Sequence, residues 1–492
     1  MVWRRGQPGS GEGDVAWTGG RGRPTLQRAC PAHHVAHAGI PAIAYLTPMY
    51  AIIGAGPMGL ACARNLQQLG IPFRGYDRHT GPGGLWDIDN PHSTLYESAH
   101  LISSRRMTEF AAFPMPPGPA YPNHRELRQY FRDYAAHFAL DAQYAYGTRV
   151  EQIAPAEGGR WAVTTVSEPG RDDFAPADLP RTTTLHDGVL IASGMLHHPH
   201  WPLLPGRFAG RVMHSSEYRS AEVFAGQRVL VVGCGNSGAD IAVDAVHRAA
   251  RVDLSVRRGY YFLPKFIMGR PTDTLGGAVR LPRALKQRLD ALLVRVVMGR
   301  PSDYGLPNPD YRMYEAHPVI NSLVLHHLGQ GDITPRGGLR AIHGHTVTFA
   351  DGSSAEYDLL LLATGYQLEF PFIDQRLLNW DHGPAPKLYL NTFHPESDTL
   401  FLMGMLEAAG LGWEGRNRQA ELVALYIRQL AAGAPSARAL QARKRHVEAP
   451  AVRGGYRYLP LDRMSYYVHK ESYLAAVEQE SARLRADMVS DS

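Results

Sequence analysis

The chain has 492 residues, 44% hydrophobic and 20% charged, proportions of a globular protein that exclude collagen, disordered chains and coiled coils, with length for about three domains. No apolar run approaches the ~18 residues of a membrane span, and Cys30, Cys62 and Cys234 cannot build a disulfide framework or a four-thiolate zinc site, so a reducing, cytoplasmic setting is expected. Most of the formal charge of +5 sits in residues 1–48, where five arginines face only Glu12 and Asp14, so no basic stripe argues for a nucleic-acid partner.

Residues 1–47 are rich in Gly and Pro without a hydrophobic period and read as a disordered leader, with Met49 opening the folded protein. That segment lacks the apolar core of a secretory signal, and its Gly/Pro content opposes the amphipathic helix of a transit peptide. Next come an apolar run, Tyr50–Ile53, the loop Gly54-Ala55-Gly56-Pro57-Met58-Gly59, and a helical stretch, Leu60–Leu69. In such a strand–loop–helix the glycines give the tight turn, the close approach of a pyrophosphate and the close packing of helix on strand. The helix N-terminus then offers free N–H groups and a positive dipole end to phosphate. Asp77 follows Gly54 by 23 residues, the place of a carboxylate that accepts ribose hydroxyls. Downstream, Arg125–Leu140 has helical spacing, and Arg149–Ile153 with Trp161–Val166 reads as a hairpin around Glu157-Gly158-Gly159.

A second loop, Gly233-Cys234-Gly235-Asn236-Ser237-Gly238, follows the strand-like Arg228–Val232 about 180 residues after the first. The next strand, Val252–Val256, ends at Arg257-Arg258 instead of an acid. A carboxylate repels a 2′-phosphate and a guanidinium forks onto it, so the first site suits a nucleotide with a free ribose and the second suits NADPH. Two such units predict an α/β protein with two Rossmann-like dinucleotide-binding domains, in which a flavin is reduced by a nicotinamide nucleotide. No close cysteine pair is available to take the electrons, which leaves oxygen as the first candidate.

Between the loops lies Phe208-Ala209-Gly210-Arg211-Val212-Met213-His214-Ser215-Ser216-Glu217-Tyr218-Arg219. This segment resembles the identifying motif of flavin-containing monooxygenases, F-x-G-x-x-x-H-x-x-x-[YF]-[KR]; the related Baeyer–Villiger enzymes carry Trp where Tyr218 stands. The resemblance runs from about residue 50 to 430 and includes Gly83-Gly84-Leu85-Trp86, Tyr96–Pro116, Ala192-Ser193-Gly194, Gly235–Asp240 and Asp358–Tyr366. It implies that Gly54 to Gly59 hold the FAD pyrophosphate, Asp77 the adenosine ribose, and Gly84, Leu85, Trp86 and Leu101 the flavin side of the pocket. It likewise implies that Gly233, Gly235, Asn236, Ser237, Gly238 and Asp240 line the NADPH pyrophosphate, Arg257 and Arg258 the 2′-phosphate. Thr364 and Gly365 mark a crossover between domains, while His214 and Tyr218, through domain coupling, and Ile102 and Ser103 belong to the catalytic region.

The implied architecture is an FAD domain over 48–207 and 336–450, interrupted by an NADPH domain over 208–335, with a C-terminal helical extension over 451–492. The implied activity is NADPH- and O2-dependent oxygenation, through a C4a-peroxyflavin, of an amine nitrogen or sulfide sulfur in a small organic substrate. Two departures stand out. The family's Asn beside the flavin is Ile102 here, which donates no hydrogen bond and makes an NADPH oxidase that leaks peroxide an alternative. The family's Gln-Pro-Leu region reads Glu407-Ala408-Ala409, so the substrate does not transfer with the resemblance. Baeyer–Villiger oxygenation of a ketone and a non-catalytic nucleotide-binding role are further alternatives, the second opposed by two intact glycine loops. Residues 467–485 are charged and helical where animal membrane-bound members carry a hydrophobic tail, so no membrane partner is expected, and a homodimer is the assembly to test. His197, His198 and His200 lack a nearby acid or thiolate in sequence, so no metal is expected. The segment Tyr260–Pro264 reads equally as a border of the nicotinamide and as packing.

Overall fold

The computed structural model describes residues 49–167, 179–275, 281–446 and 452–490, so the expected leader lies outside the described residues. Two parallel sheets carry the fold. In the first, the strand order is Leu400–Leu402, Gly188–Ile191, Tyr50–Ile53, Phe73–Tyr76, Tyr144–Ala145. In the second it is Arg211–His214, Leu359–Leu362, Arg228–Val232, Arg251–Ser255, Ile333–Arg336. Strands such as Tyr50–Ile53 and Leu359–Leu362 are buried along their whole length, which is why they read as continuous apolar runs and not as alternating ones.

Each sheet places its glycine loop at the C-terminal end of its central strand, where the strand order reverses and doubly wound folds bind ligands. Gly54 and Gly233 adopt φ values of 106° and 105°, and a Cβ there would lie 2.6 Å from the Ala192 oxygen and 2.5 Å from the Ala363 oxygen. Close packing is equally literal one turn on: a Cβ on Gly59 or Gly238 would meet the carbonyl oxygen of Gly54 or Gly233 at 1.9 and 2.1 Å.

The hairpin is present as Thr148–Pro155 against Trp161–Ser167, extended by Arg181–His186. The helix expected over Arg125–Leu140 spans His124–His137, entered through a capping box of Asn123 and Glu126. The strands after residue 336 divide among the sheets. The strands Leu339–Gly344, Thr346–Phe349 and Ser354–Glu356 form a meander with Gly206–Phe208, and Leu359–Leu362 sits between Arg211–His214 and Arg228–Val232. Leu359–Leu362 thus belongs to the second sheet and Leu400–Leu402 to the first. The expected C-terminal extension also proves integral: Gln429 Nε2 donates to the Leu484 oxygen at 2.6 Å, Tyr473 is fully buried, and Arg443 pairs with Glu480 at 2.5 Å.

Two short strands, His198–Pro199 and Tyr366–Gln367, pair antiparallel where the chain crosses between bodies. His200 N donates to the Gly365 oxygen at 2.9 Å and Thr364 Oγ1 donates to the His200 oxygen at 2.7 Å. Among the described residues, no helix is long and apolar enough to cross a membrane.

Candidate active site

A continuous cleft of about 2570 Å³ opens at the ends of both central strands, against roughly 300–1,000 Å³ for a pocket holding one small ligand. It gathers Gly54, Gly56, Pro57, Met58, Asp77, Gly84, Leu85, Trp86, Leu101, Ile102 and Ser103 with Gly233, Gly235, Asn236, Ser237, Gly238, Asp240, Arg257, Arg258, Thr364 and Gly365. Ala55 and Gly59 lie beneath the first loop, buried.

The loops have the form a pyrophosphate requires. The helices Pro57–Gln68 and Asn236–Val246 start without a side-chain cap, so their first N–H groups are free for an anion. An added Cβ on Gly235 would meet nothing within 4 Å and one on Gly56 would meet only Gly84 Cα at 3.8 Å; bare backbone faces the cleft at both points. Asp77 braces the first loop: Oδ2 accepts from Ala55 N at 2.5 Å and Oδ1 from His79 N at 2.7 Å. Burial raises its carboxyl pKa against the pull of those two N–H groups. Arg257 is exposed at the end of the Arg251–Ser255 strand, and Arg258 lies over the Tyr260 ring at 5.2 Å.

Other residues act by holding the cleft walls. Asp240 accepts from Tyr96 OH at 3.1 Å and from Asn321 Nδ2 at 2.6 Å, and Asn236 Oδ1 accepts from Ile320 N at 2.7 Å. Both side chains thus fix the segment His317–Asn321 against the second loop. Ser103 Oγ is hydrogen-bonded to Thr108 Oγ1 at 2.7 Å and Ser104 N donates to Asp273 Oδ2 at 2.6 Å. Ile102 presents an apolar wall to the cleft, with Ser103 Oγ engaged beside it and Ser104 Oγ buried without a partner.

His214 and Tyr218, expected to act through domain coupling, are both fully buried, and neither lines the cleft. Tyr218 donates to Asp244 Oδ2 at 2.9 Å and stacks on Phe224 at 5.2 Å, and His214 Nδ1 is bonded to Ser216 at 3.0 Å. The motif works as a clasp. Arg219, which the sequence reading left without a role, donates to the Leu95 and Ser93 oxygens, and Glu97 N donates back to the Arg219 oxygen at 2.8 Å.

Sequence reasoning missed the far wall, where the segment Tyr456–Lys470 reaches into the cleft beside Glu407, Arg416 and His317. Its only signal in sequence was the density of tyrosines: Tyr456, Tyr458, Tyr466 and Tyr467. Trp86 meets Trp413 edge-on at 6.3 Å, and Trp413 stacks on Tyr130 at 5.7 Å, which backs the Gly84–Trp86 side of the cleft with a rigid aromatic cluster. His198 Nδ1 lies 2.7 Å from Glu369 Oε2, and among the described residues no group of three or more His, Cys, Asp or Glu is placed to hold a metal.

Comparison with known proteins identifies the class. The family described as Flavin-binding monooxygenase-like matches residues 48–480. Flavin-containing monooxygenase 5 of Oryctolagus cuniculus is 30% identical over 384 residues, 73% of this chain and 69% of the relative. Flavin-containing monooxygenase 1 of Homo sapiens is also 30% identical, over 73% of this chain and 70% of that one. In fold, the chain resembles the S-allyl-L-cysteine S-oxygenase of Allium sativum (TM-score 0.59, 20% identity, 89% of both chains) and the polycyclic ketone monooxygenase of Thermothelomyces thermophila (TM-score 0.67, 15% identity, 88% of both). The chain belongs to the flavin-binding monooxygenase-like family. It is an FAD-dependent monooxygenase that uses NADPH and O2 on a small-molecule substrate.

Proposed function

We propose that the protein transfers one oxygen atom to a soft nucleophile, a sulfide sulfur or an amine nitrogen, of a small organic substrate. The observation that carries this reading is the single cleft onto which both dinucleotide loops open, together with Tyr218 in the clasp motif. One oxygen atom of O2 enters the substrate and the other leaves as water, with NADPH supplying two electrons. Bound FAD supplies the oxygen-activating chemistry.

The chain's own residues bind, orient and exclude water. In this reading Gly54 to Met58 receive the FAD pyrophosphate, Asp77 the ribose hydroxyls, and Leu85, Trp86 and Leu101 enclose the ring. Ser237 and Gly238 receive the NADPH pyrophosphate at the start of the second helix, and Arg257 with Arg258 fork onto the 2′-phosphate. The FAD body is then 48–207 with the chain from about 363 onward, and the NADPH body lies between. His214, Tyr218 and Arg219 position one body on the other.

The test is a product analysis with an aryl methyl sulfide, a tertiary amine and a cyclic ketone under NADPH and air. Sulfoxide or N-oxide supports the reading, and lactone from the ketone alone overturns it. A second reading, NADPH oxidation with peroxide release, is favoured by the apolar Ile102 wall; stoichiometric peroxide with every substrate would establish it.

A further inference from the structure

The helix Arg283–Met298 turns its apolar side to solvent. Leu285, Leu289, Leu292, Leu293, Val296 and Val297 recur at helical spacing, which places them on one face. All six are exposed, Val296 at 75% and Leu292 at 57%. A helix on a globular surface ordinarily buries such a stripe. Here the opposite side is the one held down. Gln287 is buried and its Nε2 donates to the Met313 oxygen at 2.8 Å, Asp290 Oδ2 accepts from Tyr314 OH, and Met298 packs against the core of the second sheet. These contacts aim the stripe outward, and a contiguous apolar surface of this kind marks a place that meets an apolar partner.

The charge beside the stripe identifies that partner. Arg288 and Arg295 stand along one edge of it, both exposed and without an ion pair among the described residues. The other edge holds Lys286 and Asp290, paired at 2.5 Å, and borders the cleft together with Leu293 and Val297. Arg283 shares the surroundings of Tyr456 with Glu471, and Arg300 N donates to Asp303 Oδ2 at 2.9 Å, so the uncompensated charge is that of Arg288 and Arg295. A second copy of the chain fits this face poorly. Antiparallel two-fold pairing of the stripes sets the Arg288–Arg295 edge against itself, and parallel pairing sets it against Asp290, which Lys286 and Tyr314 already occupy. A layer of anionic head groups over hydrocarbon matches the apolar stripe and the basic edge together.

We propose that this helix seats the enzyme on an anionic membrane surface, with its leucine and valine stripe in the acyl boundary and Arg288 and Arg295 on lipid phosphates. The helix lies in the interface and does not span the bilayer, a mode of attachment separate from the hydrophobic tail whose absence led to the expectation of no membrane partner. Because Leu293 and Val297 also line the cleft, seating brings one wall of the cleft beside lipid. It does not depend on which substrate atom is oxygenated.

Full-length, FAD-loaded enzyme is floated with vesicles of phosphatidylcholine alone and of phosphatidylcholine and phosphatidylglycerol in equal parts. Binding to the mixed vesicles is expected, weakening as salt is added. Arg288→Gln with Arg295→Gln should weaken it about thirtyfold, at the roughly fivefold per basic residue that an anionic surface supplies. Leu292→Gln with Val296→Gln should weaken it about tenfold or more, while NADPH reduces the flavin at an unaltered rate, since neither side chain lines the cleft. No binding to the mixed vesicles, or equal binding to both kinds, overturns the proposal. So does binding that survives both double variants, which would assign it to the arginines of residues 1–48 or to another face. A dimer, seen by light scattering, that Leu292→Gln with Val296→Gln converts to monomer overturns it as well, since a second copy would then cover the stripe.

Discussion

Arg257 projects from the end of its strand without an ion-pair partner among the described residues, a position that costs nothing in the free protein and gains on meeting a dianion. Arg257→Ala is expected to weaken NADPH by about 1.5–3 kcal/mol and to leave NADH nearly unaffected, which titration of both nucleotides checks. Ile102 is a different case, since its own side chain donates no hydrogen bond. Ile102→Asn should lower the peroxide released per NADPH consumed; an unchanged ratio would show that this position does not govern coupling. Both residues were legible from sequence because each sits at a fixed offset from a glycine loop or a family motif. Glu407 was legible only as a departure, and its partners Arg463 and Arg416 were not, because the first is 56 residues away along the chain and no local period joins them.

At the scale of elements, strand–loop–helix units were readable because parallel strands buried on both faces are continuous apolar runs and the glycines punctuate them. The placement of Leu359–Leu362 was not. Four leucines fit the centre of either sheet, and only the pairing with Val229–Val232 and Arg211–His214 decides. The C-terminal helix Lys470–Ser490 was likewise underrated, since its Tyr473, Val477 and Leu484 join the main hydrophobic core and its polar contacts are long-range. Gln419 shows this: Oε1 accepts from Gly404 N at 2.8 Å, and Nε2 donates to Tyr473 OH at 2.7 Å. Gln419→Leu strands the Gly404 N–H, while Tyr473 OH keeps the Leu390 oxygen at 3.2 Å, and should cost about 1–3 kcal/mol, the loss for one unsatisfied group. Chemical denaturation should register that loss, together with weaker FAD retention, because Gly404 packs against Met58 of the first loop.

At the scale of the molecule, stability has a pH signature written by buried imidazoles. Burial holds His197 and His317 neutral, each lowered from 6.5 to about 4; His124, His186, His214 and His394 shift the same way. Each is harder to protonate folded than unfolded, so the unfolded chain takes up protons first as pH falls. The contribution is complete above pH 6.5 and is lost progressively down to about pH 4. Thermal melts across that window should show Tm falling with pH, and His317→Gln should flatten part of the slope; a Tm constant down to pH 4 would contradict the burial of these rings.

The paired crossover has a mechanical meaning. Where the chain passes between bodies, two strands run in opposite directions and are bonded to each other through His200, Thr364 and Gly365. A single tether would let one body slide, twist and swing over the other. A double one resists shear and torsion and yields mainly to bending across its line. The two sheets are therefore linked by a bonded pair of strands, to which Arg219 adds a further bond at the Leu95 oxygen.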